Sequence, residues 1–256
     1  MLNAGDAPGE QVAGGATASV TKALRLLDVF RSRGPTLGVS EIAREAGVAK
    51  STAFRLLGLL EEAGLVERDG SGYRLSWRMF EMGSSVQRRW PSGLREVAAP
   101  WMTELFVTSG LVVHLAVLDG PDVLYIEKVS GPRSVRTPTA VGSRVPANCS
   151  GLGKALLAFS DLPAARGIMG GALSRRTPYS LTEPGRLGRE LKRVLVEGVA
   201  VDREEAALGL GCVAAPILSS SGPIAGVSVA GPVQRMDWAA AAHAVRDTAR
   251  RIAEGL

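Results

Sequence analysis

The sequence predicts an α+β protein of two domains, a small helical module closed by a β-hairpin and a larger domain that mixes strands with helices. Helical periodicity dominates the first third of the chain, Pro91 and Gly93 interrupt it, and strand-like runs then appear between helices. A length of 256 residues is enough for two modest domains. These observations favour two separately packed cores over one.

The first domain begins after a segment without any helical period. Residues 1–18 are rich in Gly and Ala, so we expect a disordered tail there. The first helix then carries apolar residues at the spacing that buries one stripe, namely Val20, Ala23, Leu24, Leu27 and Phe30. Ser40 is predicted to cap a second helix, and Gly47 is predicted to end it with a left-handed turn.

The third helix restarts directly after that turn and has two different faces. Its apolar stripe is predicted to be buried through Ala53, Leu56, Leu57 and Leu60. Its opposite face leads with Lys50, Ser51, Thr52 and Arg55 and becomes acidic only later. A helix that enters the major groove of DNA by its N-terminal end needs this order, because hydroxyls and arginine reach bases and phosphates while carboxylates stay back. The alternative is a three-helix module whose polar face is merely solvated.

A hairpin signal follows the third helix. The segment 65–76 shows two short extended runs around Asp-Gly-Ser-Gly, with Arg68 and Arg74 beside the turn. Residues 19–90 hold 12 basic and 8 acidic side chains, an excess that favours a polyanionic partner. The pattern therefore predicts a winged helix-turn-helix that binds double-stranded DNA through Lys50, Ser51, Thr52, Arg55, Arg68 and Arg74.

The second domain is predicted to alternate helices with paired strands. We expect helices near 94–109, 150–160 and 186–197, two strands around the Asp-Gly-Pro-Asp turn at 119–122, and two more in "CVAAPIL" and "IAGVSVAG". A last helix is predicted to start at a cap on Asp237.

No residues are predicted to carry catalysis or to hold a metal or cofactor. "CSGLGKAL" departs from a phosphate-binding loop at Asn148 and Ala155, and "GVSVA" lacks the last Gly of a nucleophile elbow because Ala230 stands there. The two histidines, His114 and His243, are interpreted as structural, and no Cys/His/Asp spacing suggests zinc.

Small residues on the last two strands predict a ligand pocket instead. Gly226, Ser228 and Ala230 alternate onto one face, and Cys212 and Ala214 are predicted to do the same on the neighbouring strand. Such a face leaves room for a small molecule that a hydroxyl and a thiol can orient. The alternative is that these small residues accommodate a closely packed helix.

Taken together, these features resemble the IclR family of bacterial transcriptional regulators. The strings that carry the resemblance are "SVTKALRLLDVF", "EIAREAGVAKSTAFRLLGLLEEAGLVER", "SGLGKALLAF", "EGVAVDREEAALGLGCVAAPI" and "GVSVAGP". The resemblance implies an N-terminal winged helix-turn-helix and a C-terminal GAF-like effector-binding domain. Combined with the residue patterns, this predicts a disordered tail at 1–18, a winged helix-turn-helix DNA-binding domain at 19–78, a linker helix at 79–92 and a GAF-like effector-binding domain at 93–256. It also implies homodimers, often paired into tetramers on operator DNA.

The resemblance further implies which residues contact a small-molecule effector. They are Gly151, Leu152, Asp202, Cys212, Ser228 and Ala230. The start of the helix is also predicted to offer unpaired backbone N–H groups at Gly151, Leu152 and Gly153, which would suit a carboxylate. This chain has Ala230 and Asn148 where the family often has Ser and His, which removes a donor for a small keto acid and adds apolar room.

The sequence thus predicts a cytoplasmic, ligand-responsive DNA-binding regulator, with a repressor favoured, and no membrane partner. No apolar run reaches membrane-spanning length, and two cysteines are too few for a disulfide framework. Two alternatives stay open, a DNA-binding protein with a ligand-blind dimerisation domain and an enzyme fused to a DNA-binding module.

Overall fold

The computed structural model describes residues 10–86, 93–161 and 167–256 and divides the chain into two compact units, Met1–Arg89 and Trp90–Leu256. The first unit contains α1 (Glu10–Arg33), α2 (Val39–Ala46), α3 (Lys50–Glu62), β1 (Val66–Asp69), β2 (Gly72–Leu75) and α4 (Trp77–Ser84). The predicted order of three helices, a hairpin and a further helix is confirmed.

Three boundaries in the first unit differ from the sequence expectation. Helix α1 begins at Glu10, inside the predicted tail, whose residues 1–9 lie outside the described part of the chain. Helix α2 begins at Val39, so its N-cap is Gly38 and not Ser40. The predicted linker helix at 79–92 overlaps α4, but residues 87–92 are not among the described residues.

The first unit packs α1, α2, α3 and the hairpin around one apolar core. Leu26, Ile42, Leu57 and Tyr73 lie almost completely buried there. Gly47 ends α2 in the left-handed region, with φ 66° and ψ 38°, and its N–H bonds to carbonyls of the last turn of α2. This turn lets α3 restart after three residues and presents its polar face to solvent.

The second unit is built on a six-stranded antiparallel sheet. Its elements are α5 (Leu94–Ser109), β3 (Val112–Asp119), β4 (Asp122–Val129), β5 (Arg144–Pro146), α6 (Gly151–Phe159), α7 (Pro184–Glu197), β6 (Ala200–Arg203), β7 (Leu210–Ser219), β8 (Gly222–Pro232) and α8 (Trp238–Glu254). The strand order is β5-β4-β3-β8-β7-β6. Asp237 caps α8 as predicted, because its Oδ1 accepts a hydrogen bond from the N–H of Ala240 at 3.0 Å.

Alternation along the central strands gives the sheet two unlike faces. Val213, Val227 and Val229 pack on one face with α5 and α8. On the other face, small residues such as Ala214 and Ala116 pack with α6 and α7. Because the two sets alternate strictly, the small-residue face predicted from the sequence is a real feature of the sheet.

No helix among the described residues is both long and apolar enough to cross a membrane.

Candidate functional site

The polar face of α3 is exposed over its first two turns. Its apolar side is buried through the four predicted residues, Ala53, Leu56, Leu57 and Leu60. The opposite side leaves Lys50, Ser51 and Arg55 exposed and Thr52 partly exposed. The N-terminal end of the helix therefore exposes cationic and hydroxyl side chains to solvent. A helix that reads bases in the major groove requires this arrangement.

Phe54 is a feature of this face that the sequence analysis missed. Its side chain is 55% exposed, although aromatic side chains are usually buried at least in part. The Arg68 guanidinium lies 5.9 Å from the Phe54 ring centroid, which brings the hairpin against the start of α3. An exposed apolar ring beside Arg55 could contact a thymine methyl group.

Both hairpin arginines already have partners within the protein. The guanidinium of Arg74 lies 2.7 Å from the Glu67 carboxylate on the paired strand. Arg68 stacks over Tyr73 at 4.7 Å and lies 3.5 Å from a carboxylate oxygen of Glu61. All four charged groups are at least partly exposed, so these ion pairs are weak and a DNA phosphate could compete for either arginine.

A cavity opens in the second unit on the small-residue face of the sheet. The sheet contributes His114, Tyr125, Cys212, Ser228 and Ala230 to its wall. The rest of the wall comes from a strap formed by residues 137–139, from Ser150 at the start of α6, from the loop that follows Asp202, and from Arg176 and Val145. About 40 Å³ is open to the centre of a water molecule, enough for a few waters, so a larger guest has to displace part of the wall.

Four of the six predicted effector residues lie together in this cavity. Asp202, Cys212, Ser228 and Ala230 all line it, whereas Gly151 and Leu152 do not. A Cβ at Gly151 would lie 3.2 Å from Cys212 Sγ, so the thiol covers the start of α6.

The small-residue face serves two purposes along its length. A Cβ on Gly226 would lie only 2.9 Å from Cδ2 of Leu152, which is too close. The glycine therefore makes room for helix α6 at this end of the small-residue face. Two residues further along β8, Ser228 and Ala230 border the cavity instead. A cavity and a closely packed helix therefore both lie on this face, each along a different stretch of the same strand.

The inner end of the cavity, formed by Tyr125, Cys212 and Ser228, is polar but poorly paired. The Ser228 hydroxyl is fully buried and has no partner in hydrogen-bonding geometry among the described residues, although it lies close enough to the Cys212 thiol to lower the pKa of that thiol slightly against the effect of burial. Burial, together with the carboxylate of Asp202, raises the pKa of the Cys212 thiol to about 12, and burial also raises the pKa of Tyr125. All three groups are therefore uncharged near neutral pH. A buried hydroxyl without a partner costs free energy that a ligand can recover.

A buried ion cluster holds Asp202 in place. The N–H of Glu205 donates to Asp202 Oδ1 at 2.7 Å. Lys154 Nζ, which is fully buried on α6, donates to Glu205 Oε1 at 2.5 Å and to the carbonyl of Val201 at 2.7 Å. Glu204 adopts φ 65°, an uncommon value for a residue with a side chain, which marks this turn as constrained by its surroundings.

The strap of residues 137–139 is tied to the sheet by polar contacts. Lys128 Nζ donates to Thr137 Oγ1 at 2.8 Å and to the carbonyl of Thr139 at 2.7 Å. The Thr139 hydroxyl lies 2.8 Å from His114 Nε2. Burial, assisted by the charge of Lys128, lowers the pKa of His114 to about 3, so the ring is neutral.

Sequence reasoning interpreted His114 as structural and did not single out Tyr125, the strap or Arg176. His114 is buried and bonded, as that interpretation expects, yet it also lines the cavity. Its position in β3 directly opposite Ser228 of β8 was the available signal, but it required the strand pairing. Among the described residues no group of His, Cys, Asp and Glu is arranged to hold a metal ion.

Asp202→Asn is expected to stabilise the second unit at alkaline pH. Burial, and secondly the Glu205 carboxylate, raises the pKa of Asp202 from 3.8 to about 7. The folded state thus holds the proton more tightly than the unfolded state, so this carboxyl's contribution to stability declines as pH rises from about 4 to 7. We expect the variant to gain about 1–3 kcal/mol in unfolding free energy at pH 8 and almost nothing at pH 4.

Urea unfolding of both proteins at several pH values measures this difference. Asp122→Asn, at the start of β4 and outside the cavity, is the matched control for the loss of a carboxyl group. A difference between parent and Asp202→Asn that does not grow from pH 4 to pH 8 would contradict the assignment.

Two family models match this chain. The IclR helix-turn-helix domain matches residues 19–70, and the bacterial transcriptional regulator IclR C-terminal domain matches residues 91–254. Similar curated proteins include the HTH-type transcriptional regulator BhcR of Paracoccus denitrificans, 35% identical over 94% of this chain and 88% of BhcR. The HTH-type transcriptional repressor AllR of Escherichia coli K12 is 30% identical over 96% of this chain and 93% of AllR.

Solved structures share the architecture. An IclR homologue from Microbacterium hydrocarbonoxydans, complexed with 4-hydroxybenzoate, has a TM-score of 0.80 and 27% identity, over 92% of this chain and 98% of that chain. The Thermotoga maritima IclR has a TM-score of 0.77 and 30% identity, over 94% and 99% of the two chains. An N-terminal helix-turn-helix followed by an α/β domain is thus common to all three proteins.

Proposed function

The chain belongs to the IclR family of bacterial transcriptional regulators, and from this premise we propose that it is a repressor that releases operator DNA when a small metabolite occupies its cavity. The family and the similar proteins are regulators rather than enzymes. In this proposal residues 19–78 bind DNA and residues 93–256 bind the effector. Residues 79–92 form the linker helix that joins these two domains. The site of action is the cytoplasm, where the DNA is.

The observation that carries the ligand-responsive part is the buried Ser228 hydroxyl. It makes no hydrogen bond with any described residue and borders a cavity whose other walls include Asp202 and Cys212. A ligand-blind dimerisation domain gains nothing from such an unpaired group, because apolar residues would pack the same space at lower cost. We therefore favour an effector site, with Asp202, Cys212, Ser228 and Ala230 as contacts.

The DNA-binding part rests on the exposed face of α3. Lys50, Ser51, Thr52 and Arg55 are proposed to reach base edges and phosphates, and Arg68 and Arg74 of the hairpin to lie along the phosphate backbone. Exposure of this face, together with the local basic excess, supports that assignment.

Exposed aromatic side chains on α4 support self-association. Trp77 is 76% exposed and Phe80 70%, and their rings meet edge to face with centroids 6.5 Å apart. Large apolar side chains clustered in this way are typical of surfaces that a partner covers. We propose that a second copy covers them, giving a homodimer that can pair into tetramers on a two-fold operator.

The proposal is tested by measuring operator release by metabolites with the parent protein and with Ser228→Ala. We expect footprinting to show two inverted half-sites, and a metabolite that both raises the melting temperature and releases the DNA. Ser228→Ala should weaken release several-fold, because a hydrogen bond contributes about 0.5–1.5 kcal/mol.

Ser219→Ala is the matched control, since Ser219 is the exposed last residue of β7 and lies outside the cavity. A single half-site protected by a monomer would contradict the dimer, and equal release by all three proteins would contradict the cavity as the effector site.

A further inference from the structure

We propose that Phe54 of α3 reads the C5 methyl group of a thymine in the major groove, at a place where Gly58 lets the helix lie close to the DNA. This inference rests on the proposed function, because it assumes that α3 is the helix that enters the groove. It adds which feature of the base sequence the exposed ring recognises, and it places a thymine in each half-site of the operator.

The Phe54 ring is held at the surface of its unit. The neighbouring residues Ala53 and Leu57 are buried in the core, whereas the Phe54 side chain is 55% exposed. The Arg68 guanidinium lies 5.9 Å from the Phe54 ring centroid and 4.7 Å from the Tyr73 ring centroid, so the hairpin supports the ring through a cation–π contact. Much of the ring surface therefore stays open to a partner while its position is fixed.

The charges around the ring fit DNA better than they fit another protein. Lys50 lies one helical turn before Phe54, Arg55 follows Phe54 directly, and Arg68 contacts its ring. Glu61 lies 3.5 Å from Arg68, which leaves the local excess positive. Charged side chains are depleted at the centre of protein interfaces, so an aromatic ring among three cations suits a polyanion. The exposed aromatic pair of α4 differs, because its two rings contact each other.

A phenyl ring has one suitable partner in the major groove. It carries no hydrogen-bond donor or acceptor, so the polar edges of the bases cannot pair with it. The C5 methyl group of thymine is the apolar group that base pairs present in this groove, and a Phe side chain can contact it. Adjacent Cα atoms lie about 3.8 Å apart, close to the roughly 3.4 Å between neighbouring base pairs. The thymine should therefore lie within about two base pairs of the base that Arg55 reads.

Gly58 is an independent sign that a partner approaches this face closely. It is exposed and lies four residues after Phe54, on the same side of α3. An added Cβ at Gly58 would meet no atom of the described residues within 4 Å outside its own stretch of helix, so packing within the unit does not require a glycine. Glycine inside a helix lowers its stability relative to alanine, but it lets another molecule come close to the backbone. DNA lying against α3 at this point explains why a glycine stands there.

Replacing thymine by uracil in the operator tests the inference, because uracil pairs with adenine in the same way and lacks only the C5 methyl group. The probe is an operator duplex that the full-length protein selects from a random library, with each thymine replaced in turn in both half-sites. Fluorescence anisotropy at one salt concentration measures the dissociation constant of each duplex. We expect one position at which uracil weakens binding about fourfold per half-site, the effect of burying one methyl group.

Phe54→Ala completes a double-mutant cycle with this uracil duplex. The variant should bind the thymine operator more weakly and should no longer distinguish thymine from uracil at that position, because it lacks the partner of the methyl group. Tyr179→Ala is the matched control, since the Tyr179 side chain is 57% exposed and lies in the other unit. It should keep the fourfold effect of uracil. Melting temperatures check that both variants are folded.

Gly58→Ala tests the close approach separately. We expect this variant to bind the operator several-fold more weakly although its melting temperature does not fall, because alanine favours a helix and has room within the protein. Full operator affinity in Gly58→Ala would contradict the close approach of DNA to α3 and overturn the inference as stated.

Three results with Phe54 would also overturn the inference. The first is a parent protein that binds every uracil duplex as tightly as the thymine operator. The second is an equal loss of affinity for thymine and uracil duplexes in Phe54→Ala, which would make the ring a support for the hairpin. The third is a smaller assembly of Phe54→Ala in sedimentation, which would place the ring in a protein interface.

Failure of this inference is distinguishable from failure of the proposed function. Any of these results leaves the proposed function standing, provided that the parent protein selects an operator and that a metabolite releases it. A parent protein that selects no duplex from the library would contradict the proposed function, and this inference with it.

Discussion

Gly153→Ala is expected to destabilise the second unit more than any other substitution considered for this protein. A Cβ at this position would lie 2.1 Å from the carbonyl oxygen of Ala147 and 2.4 Å from its Cα. Both are backbone atoms, so no side-chain rotation relieves the overlap. Helix α6 is buried from Gly151 to Leu157 and cannot move away. We expect a loss of about 3 kcal/mol or more in unfolding free energy, at or above the upper end of the usual range for overpacked cores.

Urea denaturation of the parent and the variant measures this loss. Gly188→Ala is the matched control, because Gly188 lies within α7 and its added Cβ would meet no atom within 4 Å. That change should stabilise the protein by up to about 1 kcal/mol, since Ala forms helices better than Gly. Equal stability of the two variants would mean that α6 does not pack against the backbone of Ala147.

Arg55→Ala is expected to reduce operator binding and to relax its sequence preference. Arg55 is exposed on α3, one turn after the polar start of the helix. A bidentate contact between arginine and a guanine is worth about 1–3 kcal/mol of discrimination, which corresponds to a factor of roughly 5–150. The affinity for operator should fall by such a factor, while the affinity for random DNA falls only by the loss of one charge.

Fluorescence anisotropy with operator and random duplexes at one salt concentration separates the two effects. Arg189→Ala provides the control, because Arg189 is equally charged and exposed but lies on α7 in the other unit. It should leave the ratio of operator to random affinity unchanged. If Arg55→Ala also left that ratio unchanged, α3 would not be the helix that reads the bases.

The sequence was informative wherever one element carries its own signal. The burial of Leu56 and Leu57 on α3 follows from helical spacing, and the left-handed turn at Gly47 follows from a residue that has no Cβ. Alternation along β8 likewise separated Val227 and Val229 from Ser228 before any neighbour was known. Each of these features depends on residues within a few positions of one another.

The cavity could be predicted only in part, because its wall comes from distant stretches of the chain. The small-residue face of β8 predicted that Ser228 and Ala230 border the cavity. Only the strand order shows that His114 lies opposite Ser228 and that Cys212 pairs with Ala230. The residues next to Arg176 and Arg175 in the sequence do not distinguish the two arginines. Arg176 lines the cavity, whereas Arg175 donates to Thr182 in its own loop.

By itself the sequence determined the two-domain α+β architecture, the polar face of α3 and the small-residue face of the last two strands, since short-range spacing specifies all of them. The family followed separately, from the resemblance of whole sequence strings. Tertiary structure alone decided how that small-residue face is divided. At Gly226 the Leu152 side chain of α6 takes up the missing volume, whereas at Ser228 and Ala230 no helix side chain does, and a cavity remains. The physical reason is that an empty face becomes a pocket only where the opposing layer fails to fill it, and the position of that layer is set by packing between distant segments.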